Sequence, residues 1–286
     1  MTSETSPLKF ANPIDYLVIG YVTKDLTPHG PVLGGTVSYA ALTAAALGLN
    51  VGIVTSCSQD FNPDPLSRIA KVVVPAADTT TFENIYTPAG RIQRIHHLAK
   101  PLNTGDIPTS WRNCQLVHLG PVANEVPTDM AEFFPEAVIG ITPQGWMRGW
   151  DEFGNVYFKQ WQDPQKIARI AGAVVLSIED VQRDENEIQR LAELSRILVV
   201  TEGSAGARIY WNGDVRKIRP PLVEEIDSTG AGDIFASSFF IRYSQTRDPW
   251  IAAEFATRIA AQSVTRKGMA GIPTNLEAQK HFVEIL

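Results

Sequence analysis

The chain has 286 residues, 44% of them hydrophobic and 20% charged, with a formal net charge of −6. Such a composition supplies a large core, and its acidic balance offers no basic field to nucleic acid or to an anionic membrane surface. Cys57 and Cys114 lie far apart beside apolar runs, so they read as buried thiols of a reducing compartment rather than as metal ligands. Met1 to Asn12 lacks the basic-then-apolar pattern of a signal peptide, and no apolar run approaches the ~20 residues of a membrane span. A cytoplasmic protein follows, with a tail over 1–12 and a single domain over 13–286.

Tyr16 to Ile19 is a short apolar run closed by Gly20, which predicts a buried strand. Asp25 falls in the loop beyond it. An Ala-rich helix over Val37 to Leu47 follows Gly34-Gly35, and Asn50 to Thr55 predicts the next strand. Strand, helix and strand at this spacing point to a parallel sheet with crossover helices.

The middle of the chain changes character. Residues 80–86 and 91–98 are β-type segments around Thr87-Pro88-Ala89-Gly90, a hairpin that could serve as a lid over a ligand. Arg91 and Arg94 alternate with Ile92 and Ile95 and are expected to meet either a bound phosphate or solvent. An apolar outer face of this lid would allow two copies to pair. His96 and His97 read as surface or core residues.

Strands are expected again at 116–119, 137–141, 173–177 and 197–201, with a polar helix over 184–195. Trp146-Met147-Arg148-Gly149-Trp150 reads as a loop on the nucleotide half. Residues 207–211 and 215–218 flank Asn212-Gly213 and predict a second hairpin. Pro220 to Val223 reads as extended, and helices are expected over 232–243 and 250–265. The pattern is a doubly wound α/β fold, a mainly parallel sheet with flanking helices.

Asp227-Ser228-Thr229-Gly230-Ala231-Gly232-Asp233 carries the most chemistry. A small-residue turn opening into a helix leaves backbone N–H groups unsatisfied at the positive end of the dipole, a place for an anion. Asp233 would repel that anion. It makes sense there as a base that takes a proton from an attacking hydroxyl while the N–H groups hold a transferring phosphoryl. The alternative is an ordinary helix start with Asp in its first turn.

The segment resembles the Asp-Thr-Thr-Gly-Ala-Gly-Asp motif of the ribokinase-like (PfkB) carbohydrate kinases, with Ser228 in place of the first Thr. Other matches follow in the family's order, from about Tyr16 to Thr274. Gly34-Gly35 resembles the family's Gly-Gly against the substrate, although Ser38-Tyr39 stands where an Asn is usual. Asp25 matches its early Asp, an acceptor of hydrogen bonds from substrate hydroxyls. Thr201-Glu202-Gly203-Ser204-Ala205-Gly206 resembles the nucleotide-side turn, and Lys267 to Thr274, with Gly268, resembles the turn near adenine. Ser177-Ile178-Glu179-Asp180 stands where the family carries Asn-x-x-Glu; Glu179 or Asp180 would orient water on Mg²⁺, or the segment simply caps a helix.

The resemblance implies an ATP- and Mg²⁺-dependent kinase of a small polyol. Asp233 would be the base and Gly230, Ala231 and Gly232 the anion hole. Asp25, Gly34, Gly35 and Arg91 would meet the acceptor; Thr201, Gly203, Gly206, Thr229 and Gly268, with the anion-hole glycines, would meet the nucleotide. The region around Asp25 and Thr36 to Tyr39 is most similar to the myo-inositol, cyclitol and nucleoside kinase branches. Ribose- or fructose-type kinases, and a catalytically silent polyol sensor, are the alternatives.

Overall fold

The computed structural model describes residues 13–61, 63–87 and 90–283. The tail read over 1–12, Pro88 and Ala89 of the hairpin turn, and the Arg91 side chain lie outside what is described. The first half of the chain forms β1 (Tyr16–Ile19), β2 (Thr23–Thr27), β3 (Gly30–Gly34), α1 (Thr36–Ala46), β4 (Val51–Ser58), β5 (Ala70–Ala76), β6 (Thr81–Thr87), β7 (Gly90–His97), β8 (Leu116–Leu119) and β9 (Val138–Ile141). The second half forms β10 (Arg148–Trp150), β11 (Val156–Phe158), α2 (Gln165–Ala168), β12 (Ala173–Ser177), α3 (Glu185–Leu194), β13 (Ile197–Thr201), β14 (Ala207–Trp211) and β15 (Asp214–Ile218), then α4 (Ala231–Thr246), α5 (Pro249–Ser263) and α6 (Asn275–Val283). None of the described helices is long and apolar enough to cross a membrane.

A nine-stranded sheet runs in the order β15-β14-β13-β12-β9-β8-β1-β4-β5. It is parallel from β13 to β5, with β14 and β15 antiparallel at one edge. The central strands β1, β8 and β9 are four residues long and wholly buried, as strands covered on both faces must be. Alternate side chains enter different cores. Leu17, Ile19, Val117 and Leu119 pack with Trp111, Phe134, Trp146 and Ile188 on one face. Tyr16, Val18 and Leu116 pack with the alanines of α1 and with Phe235, Phe239 and Phe240 of α4 on the other. Asn212 and Gly213 take φ of 51° and 83° between β14 and β15, the conformation a two-residue Asn-Gly hairpin requires.

A second sheet, ordered β3-β2-β6-β7, rises from the carboxyl end of β1. The 80–98 hairpin is therefore half of a four-stranded unit, and Asp25 lies in strand β2 instead of the expected loop. Thr-Lys-Asp-Leu-Thr carries no apolar run to announce a strand; it pairs with β3 next in the chain and with the distant β6, and sequence periodicity registers neither. Two further readings change. Trp146 and Met147 end a 3-10 turn (Pro143–Met147), and Arg148 opens β10, whose hairpin with β11 reaches the lid. Pro220 to Val223 forms no strand, since its two prolines bring no N–H to a ladder.

Candidate active site

The order of the large sheet reverses beside β1: the chain first adds β4 and β5 on one side, then places β8, β9, β12 and β13 on the other. Such a reversal opens a ligand crevice outside the carboxyl ends of the strands. Gly20 and Gly120 leave those ends in contact, for a Cβ on Gly20 would lie 2.4 Å from the Gly120 carbonyl oxygen. A Cβ on Gly120 would lie 2.7 Å from Thr36 Cγ2, which seats the start of α1 at this point.

The start of α4 meets it there. Gly230 caps α4 in the left-handed region, φ 78°. The Ala231 N–H turns back to the Ser228 carbonyl at 3.1 Å, leaving those of Gly232 and Asp233 as donors of this helix end. Gly232 is exposed, and nothing lies within 4 Å of where its Cβ would be. Asp233 is partly buried and accepts a hydrogen bond from the Thr36 hydroxyl. Burial pushes its carboxyl up to about 6; the Thr36 bond and the Arg148 guanidinium oppose the rise, while the Asp180 and Asp25 carboxylates add to it. A carboxyl so placed is ionised at neutral pH yet basic enough to take a hydroxyl proton.

Asp25 comes to the same place from the lid. Thr23 Oγ1 donates to its Oδ1 at 2.9 Å. A Cβ on Gly34 would lie between 2.3 and 2.7 Å from the atoms of its carboxyl group, so the strand opposite must carry glycine for Asp25 to sit as it does. Gly35 has φ 87°, and a Cβ there would come within 2.5 Å of the Tyr21 carbonyl oxygen. Ser38 donates to the Gly34 carbonyl at 2.6 Å, back toward its own helix start. The buried Tyr39 ring lies against Gly230, and its hydroxyl is pushed up by burial and by Asp233, Asp25 and Asp227, so it stays a neutral donor.

The residues expected to meet a nucleotide are tied to the same turn in part. Asp227 accepts from the Thr229 N–H at 2.9 Å and from the Gly268 N–H at 2.8 Å, joining the loop after α5 to the turn before α4. Thr201 ends β13, and Gly203 and Gly206, with φ of 56° and 97°, shape the turn that follows. Glu202 holds that turn by ion pairs to Arg208 and Lys217. Ser177 and Asp180 form a capping box: the Ser177 N–H donates to Asp180 at 2.8 Å and the Glu179 N–H to the Ser177 hydroxyl at 3.2 Å. Gln144 also donates to Asp180, at 3.0 Å. Glu179 is exposed and paired with Arg183, so of the two acids only Asp180 makes its charge felt at Asp233. Arg94 is exposed and donates to Asn155 at 3.0 Å, at the tip of the β10–β11 hairpin.

Sequence reading missed four residues of this region. Thr36 and Tyr39 sit just behind the Gly34-Gly35 pair, a position that could have suggested them. Arg148 was hidden in an aromatic stretch; its guanidinium donates to the Val122 carbonyl at 3.1 Å and lies over the Phe82 ring of β6. Glu125 is buried beneath the lid's root and accepts from the N–H groups of Tyr21, Val122 and Ala123.

The family model described as pfkB family carbohydrate kinase matches residues 172–275. The cytidine kinase of Thermococcus kodakarensis is 25% identical over 82% of this chain and 90% of its own. The inositol 3-kinase of Arabidopsis thaliana is 25% identical over 82% of this chain and 69% of its own. A pyrophosphate-dependent kinase of the ribokinase family, solved with a pyrophosphate analog and myo-inositol, shares the fold with a TM-score of 0.78, at 18% identity over 93% of this chain and 99% of that one. With an α/β sheet of this order and a glycine turn that ends on Asp233, the chain is similar to the pfkB family of carbohydrate kinases, phosphotransferases that act on a hydroxyl group.

Proposed function

We propose that this kinase transfers the γ-phosphoryl group of ATP to a hydroxyl of an uncharged polyol, with myo-inositol the leading candidate. The observation that carries this reading is the pair Asp25 and Asp233, close enough for the Asp25 charge to push the Asp233 carboxyl up, with Arg148 as the cation that opposes it. Two carboxylates accept hydrogen bonds from neutral hydroxyls and repel an acceptor that already bears phosphate. Asp25 orients the acceptor. Asp233 takes the proton of the attacking hydroxyl as its oxygen bonds to phosphorus and the donor's bridging oxygen leaves with ADP. The Gly232 and Asp233 N–H groups face the charge on the transferring phosphoryl, and Arg148 balances the carboxylates around it. The inositol 3-kinase relative and the myo-inositol-bound neighbour support the choice of a cyclitol.

The donor side supports a nucleotide. Leu222, Val223 and Ile226 are exposed on the segment that runs into Asp227, an apolar surface suited to the face of a base. Among the described residues no cluster of three or more His, Cys, Asp or Glu could cage a metal. Mg²⁺ carried on donor phosphates needs only one or two carboxylates through water, and the charge that Asp180 exerts at Asp233 supports this acid for it. Held near Asp180 through water, Mg²⁺ would offset negative charge on the donor phosphates. We read residues 13–286 as one domain under a lid, and exposed Ile92, on the face of the lid sheet away from Phe82 and Ile95, supports pairing of two lids.

The test is product formation with ATP or pyrophosphate against myo-inositol, ribose, fructose, fructose 6-phosphate and cytidine. Turnover of myo-inositol with MgATP is expected. A higher kcat/KM for cytidine or a hexose would move the acceptor to those branches, faster reaction with pyrophosphate would replace the donor, and binding without turnover would make the protein a sensor.

A further inference from the structure

Arg148 stands at the root of a two-stranded hairpin whose far end grips the lid. β10 and β11 pair with Arg148 opposite Phe158 and Trp150 opposite Val156. At the tip, the Ile95 N–H of β7 donates to the Gly154 carbonyl at 2.9 Å, and the Arg94 side chain donates to Asn155 Oδ1 at 3.0 Å. The tip is stiff: Asp151 accepts from the N–H groups of Phe153 and Asn155 at 2.9 and 2.8 Å, and from the Asn155 side chain at 2.8 Å. Gly154 has φ 79°, and a Cβ there would lie 2.3 Å from the Ile95 carbonyl oxygen, so the two backbones touch.

The root is held as firmly. Asn124 donates to the Arg148 carbonyl at 2.9 Å, and the Arg148 guanidinium is fixed by the Val122 carbonyl and the Phe82 ring. Between root and tip, Trp150 and Val156 pack on a small core of Tyr21, Phe82, Ile95 and Val122, drawn from the lid and from the loop after β8. One continuous piece thus runs from the lid's outer strand to the cation beside the base.

We propose that the β10–β11 hairpin is a strut through which the lid sets the place of the Arg148 guanidinium, and that Asn155 and Gly154 are positioning residues for phosphoryl transfer. This rests on the role given above to Arg148. Asn155 lies roughly 10 Å from Arg148 along the strand pair, at 3.3–3.4 Å per residue, and touches the reaction only through it. A shift of the lid is thus carried to the Arg148 backbone through the strut as well as to its guanidinium through Phe82.

The experiment is a double-mutant cycle with Asn155→Ala and Arg148→Ala in the full chain. It uses whichever donor and acceptor pair from the panel above reacts fastest, with thermal melting alongside. Asn155→Ala is expected to lower kcat about five- to twentyfold with a small change in donor KM, and Arg94→Lys, which keeps a donor for Asn155, to retain most activity. In the Arg148→Ala background the further loss from Asn155→Ala should vanish, because residues so far apart couple only through a shared element. Additive losses, or a loss that tracks the melting temperature, would show a merely structural hairpin and overturn the proposal. If Arg148→Ala alone leaves kcat at the wild-type level, the role given to Arg148 fails first, and the cycle reports that separately.

Discussion

The ring of Tyr39 fills the space that a side chain at Gly230 would need: a Cβ there would lie 2.2 Å from Tyr39 Cε1. α1 follows the Gly34-Gly35 pair and α4 follows the turn at 227–233, so this contact ties the two helix starts together. It explains why the first glycine of the Gly-Ala-Gly run is needed, on two grounds, its left-handed backbone and the ring against it.

Gly230→Ala should therefore destabilise the fold by about 2–4 kcal/mol, the sum of backbone strain and a displaced core ring. Gly232→Ala meets open space and should leave stability near that of the wild type. Its methyl group would project at the helix end where phosphate is expected, so donor KM should rise while the melt is unchanged. Urea unfolding and donor titrations compare the two. Equal stability losses would mean that the turn is held by something other than Tyr39.

Asp233→Asn should lower kcat by about 10²–10⁴ with donor binding nearly intact, since it removes the base and keeps the backbone N–H groups. The same variant should be more stable than the wild type at pH 8. Its folded carboxyl lies at about 6 against an ordinary 3.8, and one unit is worth about 1.4 kcal/mol, so a gain of order 1–3 kcal/mol is expected. A variant that is both inactive and less stable would show Asp233 to be a helix cap.

Much of this arrangement was legible in the sequence. The turn at 227–233 could be read because its glycines and acid are adjacent in the chain, and helix polarity alone says what they can bind. The strands β1, β8, β12 and β13 announced themselves by buried apolar runs. Asp25 was named on resemblance, but its strand was not seen, because β2 and its neighbour β3 carry no alternating apolar run and the other partner, β6, lies more than fifty positions away. Arg148 was missed for a related reason. An arginine flanked by Trp146, Met147 and Trp150 looks like part of an aromatic cluster until Phe82 and Asp233, distant in sequence, are brought to it.

The acid limb of the rate profile should report the same carboxyl. Asp233 must be ionised to act as base, so kcat is expected to fall as pH drops through about 6. Stability should move the opposite way. The folded state binds more protons than the unfolded chain between roughly pH 4 and 6, so the contribution of this group to stability declines as pH rises through that window. Asp233→Asn should flatten that part of the stability profile. An acid limb near pH 4 would place the reacting base elsewhere or show Asp233 to be solvated when substrates bind.

Asp25→Ala should raise the acceptor KM about ten- to hundredfold, the loss of a charge-assisted hydrogen bond of roughly 1.5–3 kcal/mol, with donor KM little changed. Gly34→Ala offers an independent route to the same effect. Its added methyl would collide with the Asp25 carboxyl, at 2.3 to 2.7 Å, and must push it off the acceptor without touching its charge. The two variants should therefore share one signature, a weakened acceptor and an intact donor. A Gly34→Ala enzyme with the wild-type acceptor KM, beside an Asp25→Ala enzyme that weakens both ligands equally, would assign Asp25 to holding the lid sheet instead of the substrate.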